Sequence, residues 1–299
     1  MDKDQLERVA QLVKPYRITS GKGFRLRDFS PADTAGLKSA DRAEAKEMLE
    51  RGVEWLAEQQ DMLYAQDHWA LLLVFQAMDA AGKDGTIKHV TSGINPQGCS
   101  VTSFKQPSSE ELDHDYLWRC MRHVPARGQI GIFNRSYYEE VLVVKVHQEL
   151  LQRQKLHPSL VTKKIWKQRY ADIASYEHYL VRNGILVLKF FLHVSKAEQK
   201  RRFMERLDNP EKNWKFSAAD VAERGHWATY QEAYEDAIRH TASKQAPWYV
   251  IPADNKWFTR LAVAAAVVHT IAGLKLHYPV VGAAARRELA AARARLRNE

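Results

Sequence analysis

The sequence lacks most of the features that would place it in a specialised class of protein. Its two cysteines, Cys99 and Cys120, stand in no metal-ligand spacing, so we expect no cysteine-bound metal and a reduced, cytoplasmic setting. The longest apolar run, at 261–274, is too short to span a bilayer and contains His269. Residues 1–17 are charged throughout and lack the apolar core of a signal peptide. These absences predict a cytoplasmic protein with no membrane partner.

The composition instead combines an ordinary core with an excess of positive charge. Hydrophobic residues make up 45% of the 299 positions, which suits a soluble core, and the formal net charge is +9. A chain of this length holds one large domain or two small ones. The charge favours an acidic partner or substrate, although charge alone does not identify it.

The pattern of apolar residues predicts an α/β protein. Five runs are predicted as strands, two of them, WALLLVFQ and QIGIF, as buried strands. Helical stretches between the strands favour a parallel sheet. The predicted strands are WALLLVFQ, SVTSFK, QIGIF, ILVLKFFLHV and WYVIPA. The predicted helices lie at about 41–63, 109–123, 136–147, 159–183, 196–207, from Ser217 onward, and 257–277.

Three regions flank or interrupt this core. We expect an irregular N-terminal arm over residues 1–40 and one main domain over 41–280. A basic segment at about 195–225 interrupts the domain before its last strand. The tail, 281–299, is rich in alanine and arginine, and we expect an exposed helix or disorder there.

The stretch after the first strand is similar to a phosphate-binding loop. The usual pattern is Gly, four residues, Gly-Lys, then Ser or Thr; here Ala77 replaces the first glycine and Asp84 follows Lys83. Backbone N–H groups and the helix dipole make such a turn attractive to anions. The alternative is an ordinary strand-to-helix turn with a solvated lysine. Because Asp79 would repel phosphate, it is expected to act through Mg²⁺ or on the acceptor.

A second polar group follows the strand QIGIF. Asn134 stands where an Asp that assists a metal usually lies, and it carries no charge. Its neighbour Arg135 has the planar fork that binds phosphate through paired hydrogen bonds. Ser136 and Glu139 fit a helix capping box, so Glu139 has both a capping and a functional interpretation.

The basic segment is equally open to two interpretations. Ser195 and Glu198 form a capping-box pattern that predicts a helix from 196 to 207. Its basic residues form either a solvated face with ion pairs or part of a lid that closes over phosphates. They are Lys196, Lys200, Arg201, Arg202 and Arg206.

Eight sequence blocks, in order from about 68 to 278, resemble polyphosphate kinase family 2. These phosphotransferases move a terminal phosphate from inorganic polyphosphate onto nucleotides. The blocks are MDAAGKDGTIKHV, GINPQGCSVTSFKQPSSEEL, YLWR, IFNRSYYEEVLV, KFFLHVSKAEQKRR, RLDNPEKNWKF, YEDAIRHT and APWYVIPADNKWF.

The resemblance implies a three-layer α/β/α P-loop kinase-like fold with a central parallel five-stranded sheet and a basic helical lid. It implies dependence on Mg²⁺, with Mn²⁺ as an alternative, and a dimer or tetramer. Polyphosphate, AMP, ADP and ATP would be the substrates and products, with no nucleic acid as partner. The absence of an Asp at Asn134, together with Glu139, is similar to the class that accepts AMP as well as ADP.

The resemblance also implies roles for individual residues. Asp79 would be the essential aspartate, Lys83 the phosphate lysine, and Asp79 and Glu139 the metal ligands. Asn134 and Arg135 would complete the catalytic group. The other phosphate-binding positions would be Ala80, Ala81, Gly82, Asp84, Gly85, Thr86, Lys88 and Arg119, and the polyphosphate contacts of the lid would be Lys200, Arg201, Arg202 and Arg206.

Two other functions remain open at the level of the sequence. An ATP-dependent nucleoside monophosphate kinase shares the strand, loop and lid arrangement, but it needs an adenine pocket for its donor. A non-catalytic polyanion or nucleic-acid binder would use the charge and the aromatic residues near basic ones.

Overall fold

A six-stranded sheet forms the centre of the protein. The computed structural model describes residues 1–299 apart from the side chain of Lys215. The strands are β1 (Arg17–Ile18), β2 (Ala70–Ala77), β3 (Cys99–Ser103), β4 (Ile130–Asn134), β5 (Ile185–His193) and β6 (Trp248–Pro252). Their order in the sheet is β1-β6-β5-β2-β4-β3. All pairs are parallel except β1 with β6, which is antiparallel. The predicted α/β class and parallel sheet are therefore confirmed.

The sheet has six strands instead of the predicted five. The additional strand, β1, is two residues long and pairs Arg17 with Tyr249 at the edge. Two residues are too few to show an alternating pattern in the sequence. This strand was therefore missed for lack of signal.

Helices cover both faces of the sheet. The helices are α1 (Lys3–Val13), α2 (Arg42–Gln66), α3 (Lys83–Val90), α4 (Ser109–Asp113), α5 (Trp118–Met121), α6 (Val143–Val146), α7 (Ile165–Arg182), α8 (Lys196–Asp208), α9 (Ala218–Glu223), α10 (Trp227–Thr241), α11 (Lys256–Ala272) and α12 (Ala283–Arg297). α11 packs against α1, α2 and α3, while α7 packs against α10. Right-handed crossovers place these two groups on opposite faces. No helix of the described chain is both long and apolar enough to cross a membrane.

The central position of β2 determines where the site forms. β2 lies between β4 and β5, and Phe75 aligns with Asn134 on one side and Phe190 on the other. All residues from Ala70 to Gln76 are buried, as expected for a strand that is covered on both faces. The carboxyl ends of β2 and β4 consequently meet at one edge. Such an edge is where open parallel sheets bind ligands.

The N-terminal arm is less irregular than the sequence predicted. Residues 3–13 form α1, which begins with a capping box between Asp2 and Gln5. Val9 and Val13 are buried, and α1 packs against α11. The prediction of an irregular arm over 1–40 was wrong here because dense charge hid a narrow apolar face.

Several helix boundaries also differ from the prediction. The stretch 109–123 contains two short helices, α4 and α5, and 136–147 begins as a 3₁₀ helix, Tyr137–Val141, before α6. The helix predicted at 159–183 begins at Ile165, and the last core helix ends at Ala272. The tail forms the exposed helix α12. Short turns of this kind depend on tertiary packing, which periodicity alone does not report.

Candidate active site

A tight turn between β2 and α3 forms the centre of the site. Ala80 and Gly82 have positive φ angles of 60° and 104°, which turn the chain sharply into α3. Lys83 is the first residue of α3, and its Nζ donates a hydrogen bond to the carbonyl oxygen of Ala77 at 3.0 Å. The first N–H groups of the helix and the Lys83 ammonium therefore lie together at the edge of the sheet. This is the arrangement of an anion site.

Arg202 of α8 stabilises this turn through hydrogen bonds to its backbone carbonyl oxygens. One Nη atom donates to the carbonyl oxygens of Ala80 and Ala81 at 2.9 and 2.8 Å. The other Nη atom donates to the carbonyl oxygens of Ala253 and Asp254, after β6, at 2.6 and 3.1 Å. Arg202 is only 4% exposed. It therefore shapes the loop, and its contact with polyphosphate stays a prediction, since backbone carbonyls occupy its Nη donors in this structure.

The end of β4 supplies two side chains that bind the loop. Asn134 donates to the Asp84 carboxylate at 2.7 Å, and Arg135 forms an ion pair with Asp79 at 3.4 Å. The backbone of Arg135 has a φ of 65°, and its N–H donates to the Phe75 carbonyl oxygen. The structure thus brings the predicted residues of the two strand ends together.

Glu139 lies in the 3₁₀ helix Tyr137–Val141 and does not form the predicted capping box. Ser136 caps this helix by accepting a hydrogen bond from the N–H of Tyr138, while the Glu139 carboxyl interacts with Arg135, Lys83 and Gln76. Burial raises the pKa of Glu139, and Arg135 and Lys83 oppose that shift. The capping interpretation was wrong because the Ser136 hydroxyl accepts from Tyr138 and not from Glu139, and the Glu139 carboxyl interacts with other side chains.

The charges at the loop also act on Lys83 and Arg135. Burial, reinforced by Arg135, lowers the pKa of Lys83, whereas Asp79, Glu139 and Asp84 act in the opposite direction. Glu139 is the main cause of the raised pKa of Arg135. Two cations and three carboxylates are therefore packed closely enough to influence each other's protonation, which is typical of a functional site.

A cavity of about 340 Å³ opens beside these charges. Arg119, Arg135 and Glu139 line it together, so Arg119 joins the group although it is distant in sequence. Arg119 is held by the Lys105 carbonyl oxygen at 2.9 Å and by Glu111 at 3.4 Å. The apolar lining comes from Pro107, Leu112, Val143, Val144 and Leu150. The cavity thus has charged groups at one end and an apolar wall, the character of a small-molecule pocket.

A buried polar network supports the turn that carries Glu139. Tyr137 and Tyr138 both donate hydrogen bonds to Glu177 of α7, and Glu177 forms a fully buried ion pair with Lys189 of β5. Sequence reasoning missed this network. The signal was present, since Lys189 is the only charged residue within the apolar run of β5.

The basic segment is tied to the loop by residues that the sequence analysis did not select. Gln199 donates to the Asp79 carbonyl oxygen at 2.9 Å. Asp220 of α9 lies near Arg206 at 3.9 Å, and burial together with the charge of Asp79 raises the pKa of Asp220. The segment thus places a carboxylate close to the phosphate loop.

The remaining predicted residues divide into exposed and buried positions. Lys200 and Arg201 are exposed on α8, and Arg201 forms an ion pair with Glu198. Thr86 is buried with its N–H bonded to the Gly82 carbonyl oxygen, and Lys88 is exposed farther along α3. The structure does not bring Thr86 or Lys88 into the cavity with Glu139.

The comparisons with known proteins agree on one family. Residues 38–278 match the family model described as Polyphosphate kinase 2. The chain is 53% identical over 244 residues to an ADP-polyphosphate phosphotransferase of Rhodopseudomonas palustris, covering 81% of this chain and 84% of that one. It is 46% identical over 269 residues to an AMP/ADP-polyphosphate phosphotransferase of Meiothermus ruber, covering 89% and 96%. The crystal structure of a polyphosphate kinase 2 from Arthrobacter aurescens superposes with a TM-score of 0.84 at 39% identity, covering 93% and 95% of the two chains.

Proposed function

Because this chain belongs to the polyphosphate kinase 2 family, we propose that it transfers the terminal phosphate of inorganic polyphosphate to AMP or ADP. The observation that carries the proposal is the junction of the loop with the 340 Å³ cavity through Arg135, which pairs with Asp79 and lines the cavity. The loop side of this junction suits a donor phosphate, and the cavity side suits an acceptor.

Each side of the junction has residues with a defined part in the transfer. Lys83 and the N–H groups at the start of α3 bind the terminal donor phosphate, while Arg119 and Arg135 bind the phosphate of the acceptor. An oxygen of the acceptor phosphate attacks the terminal phosphorus. The bond from that phosphorus to the bridging oxygen breaks, and the shortened polyphosphate leaves with the electron pair. Fixed cations at the loop stabilise the charge that develops during this step.

The carboxylates around the loop suit a magnesium ion. Within the described part of the chain, no three acidic, histidine or cysteine side chains gather as a complete metal site. Mg²⁺ typically binds one or two carboxylates and completes its shell with water and substrate phosphates. Asp79 and Glu139, whose charges influence each other, are the residues that would hold it. The ion would neutralise charge on the transferring group.

A product assay tests the proposal. The purified protein is incubated with Mg²⁺ and AMP or ADP, with polyphosphate in one series and ATP or GTP as donor in another, and nucleotides are separated by chromatography. We expect ADP and ATP to form with polyphosphate. Transfer from a nucleoside triphosphate alone would instead favour a monophosphate kinase. Salt-sensitive binding of nucleic acid without any transfer would contradict an enzymatic role.

The proposal also includes the oligomeric state and the cellular location of the protein. The family resemblance favours a dimer or tetramer, and light scattering coupled to gel filtration would measure its mass. A cytoplasmic location stays a prediction that fractionation of cells would test.

A further inference from the structure

A second cavity, of about 480 Å³, lies between α2, α3 and α11. We call it the α11 groove. Its basic lining residues are Arg42, Lys46 and Arg260, and Trp257 and His89 form part of its wall. None of these side chains has a part in the transfer described above.

The topology places one end of this groove at the phosphate loop. α3 and α11 begin directly after β2 and β6, and the end of α2 leads into the start of β2. The first turns of all three helices therefore lie at the carboxyl edge of the sheet. A Cβ atom placed on Gly85, in the first turn of α3, would lie 3.9 Å from an Nη atom of Arg260. The guanidinium of Arg260 is thus a direct neighbour of the loop helix.

Arg260 is a half-buried cation that pairs with no carboxylate in the described part of the chain. Burial alone lowers its pKa, in contrast to Arg119, Arg201 and Arg202, each of which pairs with a glutamate. Partial burial of an unpaired charge costs free energy unless a counter-charge is supplied. An anionic ligand would supply it.

The charge along α2 changes sign with distance from the loop. Arg42, Lys46, Glu50 and Glu54 are spaced four residues apart, so they share one exposed face of the helix. Lys46 forms a 3.6 Å ion pair with Glu50. Glu54 lies roughly 18 Å along the helix from Arg42 at 1.5 Å per residue. The groove is therefore basic near the loop and acidic at its far end.

We propose that the basic end of the α11 groove binds the part of the polyphosphate chain that extends beyond the reacting phosphates. This inference rests on the proposed function. A polymer with roughly one negative charge per phosphate needs cations at intervals along its path and no groups that recognise a base. Arg260, Arg42 and Lys46 provide such cations, and the acidic end limits how far the chain follows the groove.

Chain length of the donor provides the test. For Arg260→Gln we expect the KM for long-chain polyphosphate to rise about tenfold, as for loss of one charge-assisted contact. The KM for tripolyphosphate and the kcat with both donors should change less than about twofold. The double variant Arg42→Gln with Lys46→Gln should also raise the KM for long-chain polyphosphate only. Because both side chains are exposed, it should keep the fold. Arg127→Gln, before β4 at the opposite edge of the sheet, is the matched control.

A second variant tests the direction of the charge gradient. Glu54 is exposed, so Glu54→Gln should keep the fold and lower the KM for long chains only. An equal rise in KM for both donors in Arg260→Gln would place Arg260 at the reacting phosphates and overturn the inference. Unchanged KM values for long chains in both the Arg260 and the Arg42/Lys46 variants would also overturn it. Failure of the proposed function is distinct, because the unaltered protein would then transfer phosphate from neither donor.

Discussion

Ala80 and Arg135 hold backbone angles that residues with side chains adopt rarely, with φ near 60° and 65°. Each such residue costs of order 1–3 kcal/mol, and it persists only where its surroundings enforce it. Arg202 stabilises the backbone angle of Ala80 by donating a hydrogen bond to its carbonyl oxygen. The backbone of Arg135 is held by the hydrogen bond from its N–H to the Phe75 carbonyl oxygen. The two strained residues lie at the ends of β2 and β4, and they position Asp79 and the Arg135 guanidinium to face each other.

Lys83→Met and Asp79→Asn should each lower kcat by on the order of 100-fold or more, because each removes a preorganised charge from the loop. Turnover with polyphosphate and ADP measures the effect. Lys244→Met, before β6 at the opposite edge of the sheet, controls for the loss of a lysine elsewhere. Near-normal turnover of either loop variant, with an unchanged circular dichroism spectrum, would remove that residue from the mechanism.

Arg202→Met should lower the free energy of unfolding by about 3 kcal/mol or more, since it leaves four carbonyl oxygens without their donor and removes one of the two arginines that pair with Glu198. Arg201→Met at the adjacent, exposed position should cost less than about 1 kcal/mol. Urea denaturation of the two variants measures both values. Equal stability of the two would contradict the structural part assigned to Arg202.

Glu139→Gln should reduce AMP phosphorylation more steeply than ADP phosphorylation. AMP carries one phosphate, so its reacting group lies closer to the nucleoside, and we expect the carboxylate of Glu139 to fill the space that a second phosphate would occupy. Rates with the two acceptors, measured with the same polyphosphate, test this. An equal loss with both acceptors would show that Glu139 does not distinguish them.

Sequence reasoning located the charged residues well and their partners poorly. Lys83, Asp79 and Arg135 follow from strand ends and a loop pattern, which are local features. The part of Arg202 in shaping the loop was not predicted, because its partners, Ala80 and Ala253, are carbonyl groups 122 and 51 residues away. A backbone acceptor at such separation carries no sequence signal.

At the scale of elements, the end of β5 contacts the N-terminal arm, where His193 lies next to the backbone of Phe29. His193, the last residue of β5, is 7% exposed. Burial lowers its pKa from 6.5 to about 4, although Asp254 and the backbone of Phe29 oppose the shift. His193 is therefore neutral in the folded protein at neutral pH. Protonation favours the unfolded chain, where the side chain regains water.

The free energy of unfolding should consequently fall as the pH decreases from 6.5 to about 4. In this window the unfolded state binds one more proton at His193, so the contribution is at most about 1.4 kcal/mol per pH unit. Urea denaturation at several pH values measures the slope, which His193→Asn should reduce and the exposed His178→Asn should not. Identical slopes in the protein and in His193→Asn would contradict a buried, neutral histidine.

Element types were predicted better than element ends. Strands such as β2 and β5 were evident because burial on both faces leaves a continuous apolar run. The 3₁₀ helix Tyr137–Val141 was taken for an α-helix because its local composition suits both. Its geometry depends on Glu177, which fixes the two tyrosines from a different helix.

At the scale of the whole molecule, the packed fold and the family match end at nearly the same place toward the C-terminus. The match ends at residue 278, and every residue from 277 to 299 is exposed. Deletion of residues 281–299 should therefore change the melting temperature by less than about 2 °C, because no buried contact is lost. Differential scanning calorimetry measures this. A larger decrease would show that α12 packs on the folded domain.

The attachment of α8 also restricts how the segment 195–225 moves. Arg202 fastens the second turn of α8 to the loop and to the end of β6, so the helix is fixed at that point. We expect any movement of this segment to pivot after residue 202. Such a movement would change access to the phosphate loop, near which Asp220 of α9 lies, while the loop keeps its shape. Substrate exchange would then leave the geometry that binds the reacting phosphates unchanged.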